Sequence, residues 1–264
     1  MTRRALLTRV PALPIVAAAL RGETAKDRGR RLIQQTIQGL GGDAFRKMRT
    51  RTEIGRASSF YREQLTGFGV AHLYTKYLEP DQSSGLLELQ RQVFGKHLED
   101  AVIFTQREAY DVTYRGAQPL ADDKVKQYHE TTMHDVFYIL RERINEPGME
   151  FEGSGIDVVE NQPVETVEIY DSENRHLTLW VNSDTFVPVK QRFYRWDPVI
   201  NDRHEEVTRY AKYRQTGGIM WPFGITRDRD GEIVFEMNSE HVTVNDPLPD
   251  TMFQLPNGIR ILKK

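Results

Sequence analysis

The sequence has 264 residues, of which 28% are charged and 39% hydrophobic, and its formal net charge is −2. This length fits one large β-rich domain or two small ones. A mildly acidic protein lacks the basic surface that nucleic acid selects, so no nucleic-acid partner is expected. Because the sequence contains no Cys, disulfides, thiolate metal sites and the lipid-acceptor cysteine of a bacterial lipoprotein are excluded.

Residues 1–25 have the pattern of an export signal peptide. Arg3 and Arg4 form a basic start, an apolar run covers residues 10–20, and small residues at 17–19 suit a signal peptidase. The Arg pair also fits a twin-arginine signal, and Sec and twin-arginine export both stay open. We therefore expect an exported, periplasmic protein that is cleaved within residues 19–26.

The charge and the apolar content of the mature chain follow from this cleavage. Removing residues 1–25 takes away four Arg and one Glu, which leaves a net charge of −5. The apolar run is shorter than the ~20 residues that cross a bilayer, and no later segment reaches that length without charges. The mature protein is therefore not expected to be integral to the membrane.

The first half of the mature chain reads as one helix followed by strands. Residues 26–40 place Leu32, Ile33, Thr36, Ile37 and Leu40 on one helical face, and Gly41-Gly42 ends the helix. Strands rich in β-branched and aromatic residues follow. They are predicted at residues 52–61, 69–78, 86–94, 101–106 and 107–114.

A second helix is predicted over residues 123–145, with Asp122 or Asp123 as its N-cap. Its apolar residues recur at helical spacing and are expected to pack against a sheet. They include Met133, Phe137, Leu140 and Ile144.

From residue 149 onward the pattern returns to strands. These strands are predicted at residues 149–159, 163–171, 176–183, 188–196, 205–214, 218–228 and 232–244. Short turns between neighbours indicate an antiparallel meander, which leaves no room for βαβ crossovers. No internal repeat or low-complexity linker divides the chain, so residues 26–264 are predicted to form a single domain.

One part of this second meander resembles a known family. The segment VVENQPVETVEIYDSENRHLTLWVNSDTFVPVKQRFY, and within it LWVNSDTFVPVK, resembles the hairpin series of the LolA/LolB-like outer-membrane lipoprotein-sorting (lipoprotein carrier) superfamily. The resemblance implies an α+β fold, a LolA-like incomplete antiparallel β-barrel, or curved sheet, with helices covering its concave face. It also implies an apolar cavity on that face that holds acyl chains.

The sequence carries no catalytic signature. His129 and His134 are five residues apart and point to different helix faces, so they do not form a metal pair. Adjacent carboxylates such as Glu205-Glu206 diverge on a strand, and no glycine-rich phosphate loop is found. We therefore expect no catalytic residue, no metal and no cofactor, and the protein is interpreted as a non-enzyme. A hydrolase whose site combines distant residues is the least favoured alternative.

The positive feature is a surplus of large apolar residues at alternating strand positions. Antiparallel barrels often hold one small ligand, so some of these residues are candidates for lining a cavity. The candidates are Phe137, Leu140, Trp180, Phe193, Trp221 and Phe235. Trp180 alternates with Leu177 and Leu179, so these residues cannot all face one cavity unless the strand bulges.

The leading functional hypothesis is an exported soluble carrier or binder of a lipid or lipidated protein in the cell envelope. It would bury acyl chains without covalent chemistry. The alternative is a non-catalytic envelope sensor or protein-interaction module that uses the same fold to bind a protein partner.

Overall fold

The computed structural model describes residues 22–80, 85–95, 98 and 100–262. Most of the predicted export segment, residues 1–21, lies outside the described residues. Within the described part of the chain, no helix is long and apolar enough to cross a membrane.

In the described residues, thirteen strands form one open antiparallel sheet, which is not closed into a barrel. The strands predicted from alternation are confirmed, and the structure adds one short strand, β6, that the pattern missed. The strands are β1 (Thr50–Tyr61), β2 (Gln64–Tyr77), β3 (Glu88–Phe94), β4 (Asp100–Phe104), β5 (Ala109–Thr113), β6 (Gly116–Pro119), β7 (Glu150–Val159), β8 (Gln162–Tyr170), β9 (His176–Asn182), β10 (Pro188–Asp197), β11 (Asp202–Thr216), β12 (Ile219–Arg229) and β13 (Glu232–Val244).

The strand order explains where the helices lie. The order is β6-β5-β4-β3-β2-β1-β13-β12-β11-β10-β9-β8-β7, so two meanders meet where β1 pairs with β13. This arrangement leaves β6 and β7, which are consecutive strands in the chain, at opposite edges of the sheet. The segment that connects them, residues 120–149, must therefore cross one face of the sheet. We call that face the helix face and the other the outer face.

Helix α1 (Ala25–Leu40) packs on the helix face against β7, β8 and β12. Its predicted apolar face is confirmed, since Leu32, Ile33 and Ile37 are buried. Thr24 caps its start by accepting a hydrogen bond from the Asp27 amide, and Gly41 ends it with a left-handed φ of 118°. A short helix, α2 (Asp43–Arg46), follows and buries Phe45.

The single helix predicted over residues 123–145 is wrong, because the structure breaks it in two. Helix α3 (Asp122–Met133) ends before His134, and α4 (Val136–Tyr138) continues directly into a π-helical turn, Ile139–Arg143. Asp135 causes the break, since its carboxylate accepts a hydrogen bond from the Tyr138 amide at 3.0 Å and so starts a new helix. Neither Asp122 nor Asp123 is the N-cap of α3; that position is Ala121.

The main hydrophobic core lies between the helix face and the elements α1, α2 and α4. A separate cluster on the outer face of β3–β5 is covered by the C-terminal segment, residues 246–262, through Leu255 and Ile259. That segment also pairs with the edge strand β6, because the Ala117 amide donates to the Arg260 carbonyl at 2.9 Å. Both faces of the sheet are therefore covered, but by different parts of the chain.

Candidate functional site on the helix face

Residues Val136–Arg143, which we call the plug, fill the centre of the helix face. The Phe137 ring meets three other rings, with centroid distances of 6.4 Å to Phe45, 5.1 Å to Tyr210 and 4.6 Å to Trp221. Leu140 beside it is completely buried. The plug thus occupies the space in which a LolA-like fold is expected to hold an acyl chain.

Buried polar contacts hold the start of the plug to the sheet through Gln191 of β10. The side-chain carbonyl oxygen of Gln191 accepts hydrogen bonds from the Val136 amide at 2.9 Å and from the Tyr210 hydroxyl at 2.7 Å. Its side-chain amide nitrogen donates to the His134 carbonyl at 3.1 Å. Because Gln191 is only 2% exposed, breaking these bonds would leave several buried groups without partners.

The other end of the plug is also anchored. Arg141 donates to the Phe45 and Arg46 carbonyls at 3.0 and 2.8 Å. Arg143 forms a buried ion pair with Asp171, in which Nη2 and Oδ2 are 2.6 Å apart. With both ends bonded to the rest of the fold, the plug is a fixed inner wall of the site.

Helix α3, which we call the lid, is held much more lightly. Thr132 is its one buried residue. Tyr128 stacks on Phe104 with ring centroids 3.8 Å apart and donates to the Glu88 carboxylate at 2.9 Å. Further along the lid, burial raises the pKa of Glu130, and the charge of Arg195 on β10 opposes that shift. The lid is therefore anchored on β3–β4, and His134, which directly follows it, stacks on Phe193 of β10.

Glu88, the acceptor at the Tyr128 anchor, is an unusual carboxylic acid. Burial raises its pKa to about 7, and the hydrogen bond from Tyr128 and the charge of Arg51 only partly offset this effect. The lid is thus fastened to the sheet through a group that changes its charge near neutral pH.

Arg51 of β1 adds a cation to this interior. Its Nε lies 2.8 Å from Oε1 of Glu53, and its guanidinium stands 4.1 Å above the Trp221 ring. The Trp221 indole Nε1 is buried and has no hydrogen-bond partner among the described residues. One donor on the helix face is therefore unpaired where the Arg51 side chain and the plug meet.

A second apolar cluster lies on the helix face beyond the plug, and we call it the mouth cluster. It consists of buried Ala57, Ala71 and Met237 with half-buried Leu73, Phe94, Ile225 and Phe235. Ile225 also packs against the main core, so the two clusters are continuous. Ala57 and Ala71 give this surface a floor of small side chains.

The void beside the plug is far smaller than a ligand. It is lined by residues such as Met133, Ile139 and Leu177 and measures about 10 Å³. That is about the space that one water molecule needs. An open groove of about 400 Å³ exists on the outer face, where Tyr74, Arg91 and Met252 meet, but it is separated from the plug by the sheet.

The structure brings together five of the six predicted lining residues. Phe137, Leu140, Phe193 and Trp221 lie in the main core, and Phe235 lies in the mouth cluster. Trp180 is the sixth.

Trp180 lies on the outer face, with the Lys190 ammonium 4.6 Å and the Arg192 guanidinium 5.3 Å from its ring centre. Its Nε1 is 3.3 Å from Asp157. Strand β9 does not bulge at this point, so Leu177 and Leu179 take the helix face and Trp180 the other.

Several residues of this site were missed by sequence reasoning. Gln191, Glu88 and Arg51 are polar residues in strands, where the alternating pattern gives polar positions to solvent. The one available signal was the spacing of Gln191, which is two residues from the apolar Val189 and from Phe193, as expected for residues of one strand face. Nothing in the sequence identifies the groups on other helices and strands that these three residues contact.

The site has the character of an apolar binding surface. Among the described residues, no group of three or more His, Asp or Glu side chains is arranged to hold a metal ion. His134 stacks on Phe193 at 4.2 Å, and burial lowers its pKa to about 4, so it is a neutral packing residue.

Comparison of the sequence with protein-family models gives no match, and neither does comparison with curated proteins. Solved structures do match, at low identity. A DUF1329 family protein from Desulfovibrio piger has a TM-score of 0.58 and 12% identity, over 88% of this chain and 98% of that one. A putative outer membrane lipoprotein-sorting protein domain from Vibrio parahaemolyticus has a TM-score of 0.56 and 10% identity, over 87% and 97%.

A LolA superfamily protein from Nitrosomonas europaea has a TM-score of 0.52 and 15% identity, over 84% of this chain and 97% of that one. The chain has a LolA-like fold. The resemblance first seen in LWVNSDTFVPVK is confirmed by these structures, and the LolA-like sheet covers nearly the whole described chain. At such identities the likeness shows the fold alone.

Proposed function

We propose that this LolA-like protein is an exported, periplasmic carrier or binder of a lipid or acylated protein. Binding is non-covalent burial of an acyl chain and involves no catalytic step. The observation that carries the proposal is the mouth cluster, a partly exposed apolar surface that is continuous with the core, together with a lightly held lid on the same face of the sheet. The names of the lipoprotein-sorting and LolA superfamily structures support the same class of function.

In this proposal the lid moves and the plug stays. An acyl chain lies on the mouth cluster, with Phe235 in its floor, and ends against an inner wall of Phe137, Leu140, Phe193 and Trp221. When it moves, the lid loses one buried residue, the Tyr128 contacts and the hydrogen bonds of His129 and of the Met133 carbonyl. Moving the plug would instead break the buried Gln191 hydrogen bonds at one end and the buried Arg143–Asp171 ion pair at the other. Each buried methylene contributes about 0.8 kcal/mol, so about ten methylenes supply ~8 kcal/mol, enough to offset moving the lid.

The first test asks whether the protein binds acyl chains. Displacement of a fluorescent fatty acid is measured with the purified protein, and organic extracts of the protein are analysed by mass spectrometry. Binding at micromolar protein, with lipid in the extracts, is expected. Absence of both would remove the carrier interpretation.

The second test asks whether the lid controls access. The sequence contains no Cys, so Phe104→Cys with Tyr128→Cys introduces the sole pair of thiols, placed where the two rings now stack. A short bifunctional thiol reagent then fastens the lid to β4. We expect the cross-linked protein to lose fatty-acid binding, and each single-Cys variant treated with the same reagent to keep it. Equal binding with the lid fastened would contradict the proposed entry route.

A second candidate function is favoured by the packing of the helix face. Because the plug fills that face in this conformation, the same fold also suits a non-catalytic envelope sensor or interaction module that binds a protein partner through its surface. The cross-linked variant separates the two functions. An interaction module keeps its partner when the lid is fastened, whereas a carrier loses its ligand.

A further inference from the structure

Three neighbouring hairpins end together at one end of the sheet. Their turns join β1 to β2, β12 to β13, and β10 to β11, and these strands are adjacent in the order β2-β1-β13-β12-β11-β10. The register confirms the shared end, since Ser59 pairs with Phe235 just before the first turn and just after the second. The third hairpin closes at the same end, where Asp197 pairs with Asp202.

These hairpins carry most of the exposed apolar surface. Nine of the thirteen large hydrophobic residues that are exposed in the described chain lie on them. We call these nine residues the rim: Tyr61, Leu65, Phe68, Val70, Tyr194, Trp196, Val199, Ile200 and Ile233. The most exposed is Val199, at 90%, in a turn where its neighbour Ile200 is 54% exposed. Such a concentration at one edge is not the scattered exposure that is normal on a soluble protein.

The chemistry of the rim combines rings with cations. The Arg62 guanidinium stands 5.2 Å from the Tyr61 ring centre. The Arg192 guanidinium stands 5.6 Å from that of Tyr194, but it is paired with Glu205 at 3.6 Å. Tyr and Trp favour the boundary between lipid and water, because their rings are apolar and their tips polar. Arg presents a fork of donors that matches phosphate. The aliphatic pair in the β10–β11 turn suits the apolar side of such a boundary.

The rim lies at the open end of the mouth cluster. Ile233 of the rim and Phe235 of the mouth cluster are two residues apart on β13, and Met237 follows on the same strand. On β2, the rim residue Val70 directly precedes Ala71 of the mouth cluster, so their side chains lie on opposite faces at the same end of the sheet. A surface that contacts the rim is therefore next to the entrance of the proposed acyl site.

We infer that the rim docks on a phospholipid surface, with Val199, Ile200 and the neighbouring rings entering the headgroup region and Arg62 meeting lipid phosphate. The inference rests on the proposed function for its purpose, which is to place the mouth cluster where acyl chains are exchanged. The docking itself depends on the rim alone.

Vesicle binding tests the rim with a matched control. Purified protein is sedimented with vesicles of phosphatidylethanolamine and phosphatidylglycerol, and the partition coefficient is measured. The variant Val199→Asp with Ile200→Asp is expected to bind about tenfold more weakly or worse, because two inserted side chains become charged. The control, Ile156→Asp with Val158→Asp, changes the same kind of exposed pair on the β7–β8 hairpin, away from the rim, and is expected to bind as the unmodified protein does.

The outcomes separate this inference from the proposed function. The rim variant is expected to keep its circular dichroism spectrum and its displacement of fluorescent fatty acid, while losing vesicles. A protein that binds fatty acid but not vesicles would overturn the docking and leave the carrier intact. A protein that binds vesicles equally well in both double variants would also overturn it. If the rim variant loses a protein partner and the unmodified protein ignores vesicles, the rim is a protein interface and the inference is wrong.

Discussion

Truncation of Phe137 in the plug tests the described arrangement of the helix face. The ring is 6% exposed and contacts Phe45, Tyr210 and Trp221, which belong to α2, β11 and β12. Phe→Ala in a core costs about 3–5 kcal/mol. Two of the three neighbours are on strands of the sheet, which cannot collapse into the space left, so a loss of ~4 kcal/mol of unfolding free energy is expected for Phe137→Ala.

Urea unfolding followed by circular dichroism measures this loss. With a slope of about 2–3 kcal/mol per molar urea, the midpoint is expected to fall by ~1–2 M while the slope stays unchanged. The control is Phe68→Ala, which removes the same ring from a position that is 64% exposed and is expected to change stability by less than about 0.5 kcal/mol. Equal midpoints for the two variants would show that the plug does not pack as described.

Three further predictions concern the lid anchor, the plug and the N-terminus. Glu88 has a folded pKa of about 7 against an ordinary value of 4.5, so the folded state holds a proton that the unfolded state releases, and the free energy of unfolding falls as pH rises between these values. Glu88→Gln keeps an acceptor for Tyr128 and is expected to be more stable than the unmodified protein at pH 8, by an amount on the order of 3 kcal/mol, and equally stable at pH 4. Urea midpoints that are identical for the two proteins at both pH values would refute this assignment. Gln191→Leu leaves the Val136 amide and the other groups that Gln191 bonds without partners, so urea and thermal unfolding should show a loss of about 2–5 kcal/mol in the free energy of unfolding. A loss near zero would mean that other contacts hold the plug. N-terminal sequencing of the protein from the cell envelope should begin between Leu20 and Lys26, and an intact Met1 there would rule out cleavage.

The strands and their turns could be predicted from the sequence because both depend on neighbouring residues. Alternation of apolar and polar residues marks a strand, and a turn such as Asp230-Gly231 joins two of them wherever the chain lies. The same local logic identified α1 and its buried face. It failed for residues 123–145, because apolar residues keep their helical spacing there on both sides of a break. Asp135 causes that break by capping a new helix.

The tertiary structure alone decided which face of each strand meets the helices and which distant strands pair. A period of two shows that Trp180 and Leu179 lie on opposite faces, but it does not say which face is covered. The pairing of β1 with β13 joins segments about as far apart as the chain allows, and no local pattern encodes it. That pairing sends residues 120–149 across the sheet, and so it places Phe137 in the core, the lid on the helix face, and three separate turns in one rim.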